Sequence, residues 1–586
     1  MTFRTDWDTE SNPAYDVWTS VNGSEIVPGI LSPLMATTFN RFDTIGLREL
    51  MATYPGGELV QLFDPPIGNF FGVVAGRLCL NNGFSVAATS ALDADIAQAI
   101  LQQFFTGASG GERFLVAVDD ERRAAAYAVA TRQRADAPAV LDRVGAQLYA
   151  ERASDRSARD LELPFAEALD RFKELSRLNS CELLNLHYVV SVAAGEWQVR
   201  LAMVLAGNGI DPAAVVGLCS GLGEVESAKP AIGLFELARL AAELPEVEAA
   251  LRAGELDTLA ERMAAANPDD GTEWSRFGAH FGHFLFEYGY RVQGEADPTY
   301  ADWSEIPTFA LSQVRAMLDV DADQAPQATI ARAVAGREAL EAAVRAQLPS
   351  DVAPTFDEVL ANAQHFTRLR ERSKATWVLG ARRARAPYLA VCRRLVEAGL
   401  AADPDDARYL TLPELESVAN GRGPDAEAIA ALVARRRAQA DEAATWALPD
   451  NWVGEPELQR RGGQAATDVL QGLGVSIGDG PVTGTARIIT SAEAGLARDI
   501  DVGDILVTPF TDAPWTPLFI PAGAVVTETG GVLSHAATVA REFGIPAVVM
   551  CKGATELIAD GDTVTVDGAA GTVTVINRVG SSVAAR

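Results

Sequence analysis

The sequence runs to 586 residues, too long for one compact core, and 48% hydrophobic against 22% charged residues is the balance of an ordinary globular protein. A net charge of −30 excludes the classes that bind polyanions, namely nucleic acid and acidic membrane surfaces. Five cysteines, at 79, 181, 219, 392 and 551, are odd in number and scattered, which excludes a disulfide framework or a cysteine metal cage and fits a reducing cytoplasm.

The opening MTFRTDWDTESN has no basic segment leading into an apolar one, so no signal peptide is expected. The weakly charged run Ile505–Thr527 contains Asp512 and several prolines, so it is not expected to span a membrane. Residues 1 to about 100 are punctuated by Pro28-Gly29, Pro33, Pro55-Gly56-Gly57 and Pro65-Pro66, and FGVVAGRLCLNNG predicts a hairpin. From about Ser85 to Trp446 the spacing predicts helices, with ALDADIAQAILQQFF, FAEALDRFKELSRL and ARAVAGREALEAAVRAQL as the clearest runs. No fixed-period repeat interrupts them.

Four features stand out in the helical span. FLFEYGYRVQGEADPTYADWSEIP, Phe284–Pro307, ends a helix in a loop carrying Tyr290, Arg291, Glu295 and Asp297. LRERSK, Leu369–Lys374, sets Arg370 and Lys374 four apart, on one helix face, where two cations repel unless an anion lies between them. Arginine offers such an anion a fork and lysine a movable point charge. RYLTLPEL, Arg408–Leu415, is the third. His280 and His283, three apart, are a possible metal pair with no third ligand at a sensible spacing, so no metal is expected. His187 and His365 stand alone and read as structural.

Around Trp446 the helical pattern fades, and residues 449–478, rich in Gly and Pro, read as a flexible connector. Short β-rich segments follow, PVTGTARII, DILVTP, GAVVTET, IPAVVM, DTVTVDG and GTVTVI, with helical pieces at AEAGLAR and SHAATVARE. Within them TETGGVLSHAATVAREFGIPAVV, Thr527–Val549, reads as strand, glycine turn, helix and strand. Gly530-Gly531 break the strand, Ser534 caps the helix, and His535 falls in its first turn. An imidazole there sits beside unpaired backbone N–H groups at the positive end of the helix dipole, where a phosphoryl group it carried would be stabilised.

This last stretch closely resembles the phosphohistidine swivelling domain of the phosphoenolpyruvate-utilising enzymes, a family that includes rifampin phosphotransferases and phenylphosphate synthases. The resemblance implies that His535 is the phosphorylated residue, with Thr527, Gly530, Gly531 and Ser534 around it and the loop TDAPWTPLF, Thr511–Phe519, nearby. Val17–Leu34 and RYLTLPEL resemble stretches of the family's acceptor region. Phe284–Pro307 resembles FLxxYGHRGxGExD, with Tyr290 in place of histidine and Val292 in place of glycine. Arg370 and Lys374 match a pair that lines the site where phosphohistidine meets its acceptor. The expected fold is a mainly α acceptor-binding domain with an irregular, partly β N-terminal part (1–448), the connector (449–478) and a compact α/β swivelling domain (479–580).

No GxxxxGK[ST] occurs, and neither an ATP-grasp domain nor a phosphoenolpyruvate-binding barrel is visible. The chain itself is therefore expected to bind no cofactor, with ATP and Mg²⁺ on a separate ATP-grasp subunit, as in the split phenylphosphate and 4-methylphenyl phosphate synthases. The partner would load His535, and the connector would carry it to a small, phenolic hydroxyl acceptor at Arg370 and Lys374. Glu295, Tyr290 and Lys374 stay open as the group that takes the hydroxyl proton. A rifamycin-like acceptor, or a non-catalytic phospho-carrier or sensor, are the competing readings.

Overall fold

The computed structural model describes every residue except 1–2, 11–14, 22, 24–26, 28, 56–69, 91–117, 224, 268, 292–293, 322–323, 463–466, 476–479, 491–499, 532–533 and 580–586. The predicted helices over ALDADIAQAILQQFF and AEAGLAR lie outside the described residues. The chain divides into two compact units, one of Met1–Met203, Gly294–Thr299 and His365–Arg461, the other of Val204–Gln293, Tyr300–Gln364 and Gly462–Arg586.

In the first unit, β1 (Val17–Thr19) lies between β3 (Arg77–Asn81) and β5 (Asn451–Val453) in a four-stranded sheet completed by β2 (Phe71–Val74). The hairpin read in FGVVAGRLCLNNG is β2 and β3, turned through Ala75 and Gly76, both at positive φ. Both turn N–H groups donate to the Asp8 carboxylate, at 2.9 and 2.8 Å. β4 (Trp446–Ala447) and β6 (Gln459–Arg460) make a separate two-stranded ribbon, so the 449–478 stretch is built into strands at several points.

Most of the rest of this unit is helical. The predicted helix over FAEALDRFKELSRL is Phe165–Leu178, with Ala168, Leu169, Phe172 and Leu175 buried at helical spacing. It runs through a single π turn, Asn179–Leu184, into α1 (Asn185–Gly207). Gly46 is packed so closely that an added Cβ would stand 2.8 Å from the Ser180 carbonyl oxygen. The Ser180 hydroxyl bonds the buried Asp43 at 2.5 Å, and Asn185 donates to the Gly46 carbonyl at 2.7 Å. Among the described residues, 165–207 is the one run long and apolar enough to cross a membrane by length and composition; Phe172, Val190, Ala194 and Leu201 within it are buried. Arg408–Leu415 owes its shape to a capping box, Thr411 with Glu414, whose carboxylate also takes a two-pronged ion pair from Arg436 at 2.7 and 2.9 Å.

The second unit is organised on an eight-stranded sheet in the order β7-β14-β13-β9-β10-β11-β12-β8. Its members are β7 (Val469–Gln471), β8 (Leu473–Val475), β9 (Val482–Ile488), β10 (Ile505–Thr508), β11 (Ala524–Thr527), β12 (Ala547–Val549), β13 (Thr563–Asp567) and β14 (Thr572–Asn577). The central four, β9 to β12, are parallel. β10, β11 and β12 are buried on both faces, as helix-covered parallel strands must be. Ile505, Val507, Ala524, Val526 and Val548 point to a core shared with Val564 and Val566. Leu506, Val525, Ala547 and Val549 point the other way, into a core shared with Leu234, Phe281, Phe284, Trp303 and Phe309. The helices of 204–364 in this unit and the C-terminal sheet thus have one apolar core between them. The fold is helical through the middle, α/β at the C-terminus and partly stranded at the N-terminus, as the composition and periodicity predict.

Candidate active site

In the second unit, β11 ends at Thr527, whose hydroxyl donates to the Thr529 carbonyl at 2.7 Å. The chain then turns through Gly530 at φ +116°, where a side chain would be strained and a Cβ would stand 2.9 Å from the Ser534 hydroxyl. Gly531 accepts from the Ser534 N–H at 3.0 Å. Ser534 caps α2 (His535–Glu542) by accepting from the Ala537 N–H at 3.2 Å. Strand, glycine turn, capped helix and strand therefore follow one another as the residues predict.

The His535 ring is 8% exposed and held from both sides. Thr511 Oγ1 lies 3.0 Å from Nδ1, and Thr516 Oγ1 lies 3.1 Å from Nε2. The Phe519 ring meets it edge-on, 6.2 Å between centroids at 88°. All three come from the predicted TDAPWTPLF loop, which forms a 3₁₀ turn over Ala513–Phe519. The sequence locates the loop but does not single out the two threonines. Their signal is a pair of hydroxyls five apart in a proline-rich loop.

Tyr290 and Arg291 are buried in the same unit, with the guanidinium 5.0 Å over the tyrosine ring. The Trp303 N–H donates to the Arg291 carbonyl at 3.1 Å, tying the loop to the aromatic stack of Phe284, Trp303 and Phe309. His280 turns its Nδ1 to the Arg276 carbonyl of its own helix at 2.9 Å. Among the described residues, no three His, Cys, Asp or Glu side chains gather as a metal site.

The cationic pair lies in the first unit, on α3 (Ala353–Ala381). Arg370 and Lys374 are both half-buried on one stripe of that helix, and Ser373 and Trp377 complete the stripe at i+3 and i+7. Arg370 pairs with Glu371 at 3.0 Å, and Lys374 stands 3.9 Å from buried Glu295. Glu295, of the Phe284–Pro307 motif, therefore reaches Lys374 within this unit. The aromatics Trp18, Phe70, Phe71, Phe281 and Phe284 are core.

One residue joins this stripe that the sequence did not connect to it. His187, on α1, sets Nδ1 2.9 Å from the Ser373 hydroxyl and stacks on Trp377, 5.9 Å between centroids at 7°. Burial first, then the charges of Arg370 and Lys374, hold its imidazole well below the usual histidine range, so it is neutral at neutral pH. The reading of His187 as an isolated structural residue gives way to this placement. Its helix neighbours Tyr188, Val189 and Val192 line a small pocket with Met51, Tyr54 and Arg134.

Two family models match the chain. Residues 187–371 match the rifampicin phosphotransferase fourth domain, and residues 500–571 match the mobile domain of PEP-utilising enzymes. Among similar proteins, a rifampicin phosphotransferase of Streptomyces sviceus is 32% identical over 305 residues, 50% of this chain and 34% of that protein. The prodigiosin synthesizing transferase PigC of Serratia marcescens is 32% identical over 327 residues, 54% of this chain and 35% of PigC. The rifampicin phosphotransferase of Bacillus subtilis is 31% identical over 305 residues, again 50% of this chain and 34% of the relative. The alignments thus take in about a third of each of these relatives.

Proposed function

We propose, for this chain of the PEP-utilising enzyme family, a cytoplasmic phosphotransferase subunit that carries a phosphoryl group on His535 and delivers it to a hydroxyl acceptor at Arg370 and Lys374. The observation that carries the reading is the His535 ring itself, at the N-terminus of a capped helix with a threonine hydroxyl on each nitrogen. Phosphorylation at Nε2 would replace the Thr516 contact and leave Nδ1–H to donate to Thr511, which fixes the ring plane. The N-terminal end of the helix and its dipole then face the added negative charge. At 8% exposure the ring must be uncovered before it can react with any partner.

The chain binds no nucleotide of its own in this reading; a separate ATP-grasp subunit supplies the phosphoryl group from ATP and Mg²⁺. At the acceptor site, transfer through a loose, in-line transition state asks for positioning and charge neutralisation, which a half-buried arginine and lysine on one stripe provide. The acceptor is a small phenol, since a hydroxyl of pKa ~10 ionises far more readily than an aliphatic alcohol. A bulkier, rifamycin-like hydroxyl compound is the second reading, favoured by the match of residues 187–371 to the rifampicin phosphotransferase domain.

The test is phosphorylation of the purified chain with radiolabelled ATP and a co-purified ATP-grasp kinase, followed by a chase with phenols and rifamycins. Acid-labile label is expected on the wild type and none on His535→Ala. Label retained on the variant removes His535 as the carrier.

A further inference from the structure

We infer that His187 is the group that takes the proton from the acceptor hydroxyl, through Nε2, with Ser373 fixing the ring's tautomer. The inference rests on the acceptor site being at Arg370 and Lys374. It replaces the three candidates the sequence left open, Glu295, Tyr290 and Lys374. Lys374 and Glu295 face one another at 3.9 Å, each engaged in that ion pair. Tyr290 is buried, with its ring face against Arg291.

The tautomer follows from counting hydrogens. The Ser373 hydroxyl has one, and it goes to the Arg370 carbonyl at 2.9 Å. The same oxygen lies 2.9 Å from His187 Nδ1; with its hydrogen on the carbonyl it accepts there, and we assign the ring proton to Nδ1. Nε2 then keeps its lone pair, to which, among the described residues, the Ser191 hydroxyl comes at the long distance of 3.4 Å. Trp377, stacked at 5.9 Å, holds the plane of the ring, and the packing of α1 on α3 holds its position through Val190, Ala194, Phe366 and Leu369. The π turn at Asn179–Leu184, just before His187, sets the register that brings this face of α1 to the cationic stripe.

The charged groups that bear on the ring are Arg370 and Lys374, both from the facing helix, and Glu371 and Glu295 pair with those cations. Two positive neighbours keep the imidazole neutral at rest, and a phosphoryl anion seated between them offsets their charge when the ring takes the proton. In the step, the acceptor O–H breaks and its proton goes to His187 Nε2 while the acceptor oxygen bonds phosphorus. The P–N bond to His535 breaks with its electron pair returning to Nε2 of that ring, which leaves as neutral imidazole because Nδ1 already carries a proton. His187 then returns its proton to solvent.

The experiment uses the full chain, with His535 loaded from radiolabelled ATP by the kinase subunit, and two chase acceptors, phenol and a nitrophenol already ionised at the assay pH. His187→Gln is expected to load normally, to pass label to phenol at least tenfold more slowly than wild type, and to keep its rate with the ionised nitrophenol. Free imidazole is expected to restore phenol transfer to His187→Ala. Equal slowing with both acceptors, or no rescue, overturns the assignment, because a merely structural histidine would behave so. Should wild-type label reach neither phenol nor rifamycin, the acceptor-site reading falls and this one with it. A readout that needs no turnover separates the two: ¹⁵N shifts of the His187 ring should show Nδ1–H and bare Nε2, and a proton on Nε2 overturns the tautomer on which the inference stands.

Discussion

Two histidines, one in each unit, are held in nearly the same way and surrounded quite differently. His535 lies between the hydroxyls of Thr511 and Thr516, and His187 between those of Ser373 and Ser191. Hydroxyl pairs therefore orient a ring without deciding its chemistry. What differs is the field. His535 opens a helix, whose N–H groups and dipole favour an added anion on the ring. His187 faces two side-chain cations, which disfavour a positive ring and keep it neutral. The first field suits a carrier of phosphoryl; the second keeps a lone pair on the ring until an anion offsets the two cations.

Removing the cations should have the largest effect on that contrast. Arg370→Ala with Lys374→Ala is expected to leave loading of His535 intact and to slow passage of label to an acceptor by at least ~100-fold, the scale on which transition-state charge stabilisation is lost. A chase assay on the loaded variant measures it, and unchanged product formation would detach the pair from transfer.

A second prediction probes the frame that positions α1. Burial pushes the Asp43 carboxyl up to about 7 from an ordinary value of 3.8, against a smaller opposing effect from the Ser180 hydrogen bond. The folded form then holds a proton that the unfolded chain has released, so this group's contribution to stability falls as pH rises from about 4 through about 7. The size is roughly 4 kcal/mol over that window. Asp43→Asn, which keeps the shape and loses the charge, should flatten this part of the pH dependence in denaturant titrations at about pH 4.5 and 7.5. Parallel curves for wild type and variant would mean the carboxyl is not held protonated.

The smallest effect sharpens the other side of the comparison. Ser534→Ala removes the cap that accepts from the Ala537 N–H. The expected cost is about 1 kcal/mol of stability. Loading of His535 should slow modestly, since the first turn that faces the phosphoryl group is loosened. Thermal unfolding and the initial rate of labelling report the two separately; a variant as stable as wild type would show that the cap is not holding the turn.

How legible each site is in the sequence follows from how local it is. The surroundings of His535 on the Thr527–Val549 side are neighbours along the chain. Turn, cap and helix start each have a residue signature, so the sequence alone places Gly530, Ser534 and His535. Arg370 and Lys374 are legible as a stripe by their spacing of four. Their histidine is not, because it arrives from a distant helix and its position is set by a π turn that no spacing rule encodes. A faint signal exists: His187 and Ser191 are four apart, a polar pair within the apolar run Leu186–Gly195. The shared core of the C-terminal sheet with helices of 204–364 is equally hidden, since an apolar helix face in the sequence does not name its partner.

The pairing of β1 with β5, Val17 opposite Val453 and Trp18 opposite Trp452, has a practical side for anyone dissecting the gene. A truncation that stops at residue 448 would strip the outer neighbour from β1, uncover Trp18 and leave a row of backbone amides with nothing to bond, an invitation to aggregate. Expression of the N-terminal piece should instead run past residue 460, so that both the edge strand and the small ribbon ending there come with it.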